Sequence, residues 1–205
     1  MYLNSHTYYS LKYGTLSPTQ LVEAAAARGI KSLVLSDINN TSCSYQFIQA
    51  CKVHDIKPIL GIEFRQATII DQQPLVDDDD KQNKKAVEKL TKVDYQLSNF
   101  LYVAIAKNKE GWRELNELQT RCSLEKTPLP EIAPDFQHAY VIYRKLPKGK
   151  NLSDLRDNEF IGVRPEEVNR LFSSYLKEHL DKLVIFSPIT SVSYTHLTLP
   201  TTPYV

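Results

Sequence analysis

The feature that most constrains this chain is a recurrence of short, nearly unbroken apolar runs separated by stretches of helical periodicity. Leu33-Val34-Leu35, Ile59-Leu60 and Tyr102-Val103-Ala104-Ile105 contain no charged residue. A strand with one face in water alternates apolar and polar positions, whereas a strand that reads apolar throughout has both faces covered. Ahead of the first run lies "PTQLVEAAAARG", whose Leu21, Val22, Ala25 and Ala26 recur at helical spacing. Ser17 and Pro18 supply an N-cap and a first helical residue, and Gly29 a stop. Between the first two runs, "CSYQFIQACKVHD" reads as a second helix. With Tyr2-Leu3 opening a first strand, residues 1–64 follow the order βαβαβ. That order implies an α/β fold on a parallel sheet or barrel.

The alternation then breaks and resumes. Residues 65–99 are polar and include the four consecutive aspartates Asp77 to Asp80, which read as a solvated insertion rather than a cation site. "NFLYVAIAKN" is a further buried-type strand and "KEGWRELNELQTRCSL" a helix with Trp112, Leu115 and Leu118 near one face. "HAYVIYR", "FIGV" and "KLVIFSP" read as strands. Pro165 is expected to open a helix whose apolar stripe is Val168, Leu171, Phe172, Tyr175 and Leu176. One domain over 1–190 is the economical reading. Residues 191–205, "SVSYTHLTLPTTPYV", contain no charged side chain and are similar to a read-through peptide found at the broken ends of assembled sequences. They are expected to be a non-native or artefactual tail.

Composition narrows the function. A formal net charge of +1 gives no basic footprint for nucleic acid on this segment itself. The three cysteines, Cys43, Cys51 and Cys122, form no CxxC pair and read as reduced thiols of a cytoplasmic protein. No run approaches the length of a membrane span.

In an α/β barrel the functional side chains sit at the C-terminal ends of the strands. Asn4 and His6 fall at the end of the first strand, two apart and therefore on one side. Asp37 ends the second and Glu63 the third. His, Asp and Glu converging on a barrel mouth are ligand types for a divalent metal, although Asp and Asn in such places more often cap turns.

The segment from "MYLNSHTYYSLKYG" to "ILGIEF" resembles the start of bacterial DNA polymerase III alpha subunits, the PHP (polymerase and histidinol phosphatase) domain. The family pattern H-x-H-[ST]-x-Y-S-x-x-x-G, then T-D-H or a variant, then G-[IVC]-E, is followed in order by "NSHTYYSLKYG", "SDI" and "GIE". "LYVAIAKNKEGWRELNEL" is similar to a strand–helix block of the same family. The resemblance implies a PHP-type distorted (βα)7 barrel, here expected to be incomplete at its C-terminus. A complete site of the family holds up to three metal ions on nine ligands. Carried over position by position, Asn4 stands where the first ligand His would be and Ile38 where a later one would be. His6, Asp37 and Glu63 keep their ligand types. The expectation is a vestigial site holding at most one residual divalent ion.

The resemblance also implies a parent chain that is a template-directed replicative polymerase using Mg²⁺ in a domain outside this sequence. No polymerase catalytic residue is therefore assigned here. Implied partners are the remainder of the polymerase chain, replicative holoenzyme subunits including the proofreading exonuclease, and primer-template DNA bound through other domains. A stand-alone PHP-family metal-dependent phosphoesterase is the alternative, and the degraded ligand set argues against it.

Overall fold

The computed structural model describes residues 2–11, 13–66, 100–171 and 175–189. The insertion after residue 66 and the tail 191–205 lie outside the described residues. Elements follow the sequence pattern closely over the first half: β1 (Asn4–Ser5), α1 (Pro18–Ala26), β2 (Ser32–Leu35), α2 (Ser44–Val53) and β3 (Lys57–Arg65). Then come β4 (Phe100–Ala106), α3 (Lys109–Glu125), β5 (Ala139–Tyr143), β6 (Glu159–Val163), α4 (Val168–Leu171), β7 (Leu183–Ile185) and β8 (Pro188–Ile189). The Ser17 hydroxyl accepts from Gln20 N while the Gln20 side chain accepts from Ser17 N, a complete capping box at the start of α1. Asn108 caps α3 by accepting from Gly111 N.

The strands form an α/β sheet that curls on itself. A six-stranded sheet runs β2-β3-β4-β5-β6-β7, and β1 pairs with β8. The two sheets are joined at both ends. Tyr2 bridges Leu33 beside β2, and Ser36 N donates to Ser5 O. At the other end β8 follows β7 after only Phe186 and Ser187. The extended run 183–189 thus bonds β6 with its first half and β1 with its second, His6 N donating to Ile189 O at 2.9 Å. The run "KLVIFSP" serves both neighbours.

One strand departs from the parallel pattern. All the described pairings are parallel except those of β4, which is antiparallel to both β3 and β5. An apolar run reports that both faces are covered but carries no direction, so the sequence pattern could not reveal this. The helix expected after Pro165 is also broken. A 3-10 turn at Pro165–Glu167 leads into the short α4, and Tyr175–Lys182 is 3-10 with a non-helical His179 (φ −127°, ψ 44°). His179 divides that stretch into two short 3-10 turns, the length in which 3-10 structure ordinarily occurs.

Period-two alternation divides the core into layers. Val34, Val103, Ile105, Ile142 and Phe186 face one another inside the curl, joined by Leu3, Ile59 and Val184. Their strand neighbours point outward. Leu33 and Leu35 pack under α1 and α2, while Tyr102, Ala104, Val141 and Tyr143 pack with Leu115 and Leu118 of α3. Each fully buried Leu, Ile or Val side chain contributes about 1.5–3 kcal/mol, so both faces of every central strand are stabilising. A buried carboxylate, Glu159 at the start of β6, accepts from Arg156 N and Tyr143 Oη and pairs with Lys150. No helix among the described residues is long and apolar enough to cross a membrane.

Candidate functional site

The ends of β1, β2 and β3 meet at one mouth of the curled sheet. Asn4, Ser5, His6, Thr7, Ser10, Ser36, Asp37 and Glu63 are all buried there, a dense polar cluster inside an otherwise apolar core. Burying such groups costs several kcal/mol each unless every one finds a partner, so the hydrogen bonds decide what the cluster is.

Two carboxylates organise it, and they are satisfied separately. Asp37 Oδ1 accepts from Thr7 N at 2.7 Å and from Ser10 Oγ at 2.6 Å. Its Oδ2 accepts from Thr7 Oγ1 at 2.6 Å and from Cys43 Sγ at 2.9 Å. A carboxylate offers about four acceptor positions, and all four are taken. The turn that brings Thr7 and Ser10 over Asp37 is closed by Ser10 N and Gly14 N donating to Thr7 O and Ser10 O. Gly14 is required here, because a Cβ at this position would lie 1.9 Å from Thr7 O. Burial and the bond to Asp37 push the Cys43 thiol up to about 12, so it stays protonated and donates.

Glu63 collects the other set. Its Oε2 accepts from Asn4 Nδ2 at 2.7 Å and bonds His6 Nε2 at 2.9 Å. Its Oε1 is paired with Arg65 Nε. Asn4 is fixed in turn by Ser36 Oγ, which donates to Asn4 Oδ1 at 2.7 Å. Burial alone would raise the Glu63 pKa. The hydrogen bond from His6, the charges of His6 and Arg65, and the Asn4 amide outweigh it and hold the carboxyl below its ordinary value.

The expected convergence is therefore partial. Asn4, His6 and Glu63 do come together, as the spacing of residues 4 and 6 requires. Asp37 lies beside them but bonds only to Thr7, Ser10 and Cys43. Ile38 forms a β-bridge with Glu63, its N–H donating to Ser10 Oγ at 2.9 Å, and its side chain is half-buried. Among the described residues no group of three or more His, Cys, Asp and Glu side chains is arranged to hold a metal ion.

The donor set gives the physical reason for a poor fit. A metal at Asp37 would have to displace charge-assisted hydrogen bonds, and one at Glu63 would face the Arg65 guanidinium. His6 Nδ1 is the one buried imidazole nitrogen here without a partner. Sequence reasoning did not find Thr7, Ser10, Ser36, Cys43 or Arg65. Thr7 and Ser10 stand at the [ST] and S positions of the family pattern, but that pattern does not say which group their hydroxyls serve. Arg65 was assigned to the insertion, and the structure places it at the end of β3.

Comparison with known proteins places these residues in context. The PHP domain family model matches residues 3–187. The chain belongs to the PHP domain family. This PHP domain is 32% identical over 117 residues to the DNA polymerase III subunit alpha of Aquifex aeolicus, covering 55% of this chain and 10% of that one. It is 36% identical over 70 residues to the subunit of the same name from Ureaplasma parvum, covering 33% of this chain and 7% of that one. The PHP domain thus spans about a tenth or less of the polymerase subunits it matches. An amidohydrolase structure from Chromobacterium violaceum covers 60% of this chain and 34% of that one, with 17% identity and a TM-score of 0.34.

Proposed function

We propose that this PHP domain is a structural, N-terminal part of a DNA polymerase III alpha-type chain, with its former metal mouth converted into a hydrogen-bonded polar core. The single observation that carries this reading is the saturation of Asp37: four donors on four acceptor positions leave it nothing with which to ligate. The polymerase relatives supply the context. In this reading His6, Asp37 and Glu63 hold three strand ends in register, and Asn4 replaces a ligand with an amide that bonds Glu63 directly. Template-directed nucleotidyl transfer, with its Mg²⁺, belongs to other parts of such a chain. The partners of this domain are then the remainder of the polymerase chain and, through it, the proofreading exonuclease, other holoenzyme subunits and primer-template DNA in the cytoplasm.

The test is metal content and hydrolysis together. The full chain, purified without chelator, is analysed for Zn, Mn and Fe and assayed against a chromogenic phosphomonoester and a single-stranded oligonucleotide with added Mn²⁺. The expected result is substoichiometric metal and no hydrolysis that depends on His6. One equivalent of metal lost in His6→Ala, or hydrolysis lost with it, overturns the proposal in favour of a phosphoesterase.

A further inference from the structure

We infer that the Arg65 guanidinium is a built-in cation that takes the charge position of a metal ion at this mouth, and that it, more than the missing ligands, keeps divalent ions out. The inference rests on the metal-free reading above and extends it to a named residue. Arg65 stands two residues beyond Glu63 on the same strand, so both side chains leave the same face. Its side chain is 12% exposed and its Nε is paired with Glu63 Oε1.

The surroundings hold it there. The Asn39 amide clamps the backbone from both sides, accepting from Arg65 N at 3.0 Å and donating to Arg65 O at 2.8 Å. Asn39 N also donates to Glu63 O. The Tyr13 ring covers the guanidinium, with its carbon 3.9 Å from the ring centroid. A buried carboxylate with a histidine on one oxygen needs positive charge on the other, and a fixed guanidinium supplies it without a bound ion. A divalent cation approaching Glu63 would meet that charge at short range in a poorly screened site.

The other side of Glu63 is close to a ligand set. Asn4 and His6 both reach the same oxygen, Oε2, at 2.7 and 2.9 Å. Asn4→His would therefore place two imidazoles and one carboxylate together, a His₂Glu set of the kind that binds zinc with a position left open. If Arg65 is the internal cation, restoring that histidine alone will not restore binding.

The experiment compares the full-length wild type, Asn4→His, Asn4→His/Arg65→Gln and Asn4→His/Arg65→Lys. Zinc affinity is read by competition with a chromophoric chelator, and cobalt by its visible d–d absorption. The expected result is one equivalent of zinc in the Gln double variant, bound about 10–100-fold more tightly than in Asn4→His or in the Lys double variant. Asn4→His binding within a few-fold of the Gln double variant overturns the role of Arg65. Stoichiometric zinc in the wild type instead overturns the metal-free reading, so the two failures are distinguishable. If the Gln double variant is unfolded without metal, refolding with zinc decides. Recovery of the native circular dichroism with one equivalent bound supports the inference, and no recovery overturns it.

Discussion

Replacing Asp37 with asparagine separates a hydrogen-bond hub from a metal ligand. In the structure the carboxylate accepts four bonds, from Thr7 N, Thr7 Oγ1, Ser10 Oγ and Cys43 Sγ. An asparagine keeps one acceptor oxygen and turns the other position into a donor. Its carbonyl must stay on the Oδ1 side, because Thr7 N–H cannot reverse its role. The amide NH₂ then faces Thr7 Oγ1 and Cys43 Sγ, which can accept, the sulfur weakly. No bond need vanish outright, but all four lose the charge. A hydrogen bond to a charged group contributes about 0.5–1 kcal/mol more than a neutral one, so four cost about 2–4 kcal/mol. For a domain of this size that lowers the melting temperature by roughly 4–16 °C.

The assay is urea and thermal unfolding followed by far-ultraviolet circular dichroism and by fluorescence of the single tryptophan, Trp112, in EDTA at neutral pH. A metal site behaves oppositely under chelation, since removing one of several facing carboxylates relieves repulsion and stabilises the metal-free protein. An Asp37→Asn variant within 0.5 kcal/mol of wild type, or more stable than it, would refute the hub.

Three further outcomes follow from the same geometry. Gly14→Ala should destabilise by about 2 kcal/mol or more, because its Cβ would fall 1.9 Å from Thr7 O and the turn over Asp37 must open; the urea midpoint checks this. Glu63 and Glu159 both have carboxyl groups held below their ordinary values: burial opposes this, but His6 and Arg65 outweigh it at Glu63, and Lys150 and Arg156 at Glu159. Their stabilising contribution is complete above the ordinary carboxylate pKa and is lost as pH falls through the lowered folded value, so Glu63→Gln should flatten the acid limb of a stability-against-pH curve. Native-state alkylation at pH 8 should modify Cys122, which is partly exposed, well before Cys43 and Cys51. Burial pushes the Cys51 thiol up to about 11, and Cys43 higher still, as peptide mass analysis over time would record.

Much of the fold was legible because burial on both faces leaves a strong mark in sequence. Leu33-Val34-Leu35 reads as a covered strand between its flanking helical patterns, and Ser17-Pro18 as the start of a helix. Strand direction leaves no such mark, and β4 is reversed with nothing in "FLYVAIA" to show it. The kink at His179 was equally hidden, since an apolar stripe at helical spacing does not reveal it. At the site, the spacing of Asn4 and His6 put both on one side of the strand, and the structure brings both to Glu63. What it missed was the partners. Thr7, Ser10 and Cys43 became donors to Asp37 only once the turn closed by Gly14 folded over it. Arg65 looked like the first residue of a polar insertion, and only the pairing of β3 with β4 carries it into the mouth.

The run 183–189, bonded to β6 by its first half and to β1 by its second, has a consequence for how the chain is made. The backbone bond from His6 to Ile189 links the first strand to one synthesised almost at the end of the domain. At ordinary rates of translation that partner emerges roughly ten to forty seconds later. During that interval β1 has only β2 beside it, and the inward faces of Leu3, Val34 and Ile59 are open to water. The ring is thus a late event with high contact order, and it is completed after synthesis of the strand rather than as each element appears. A nascent chain stalled before residue 183 should expose that apolar lining to chaperones and proteases, and release past residue 189 should seal it.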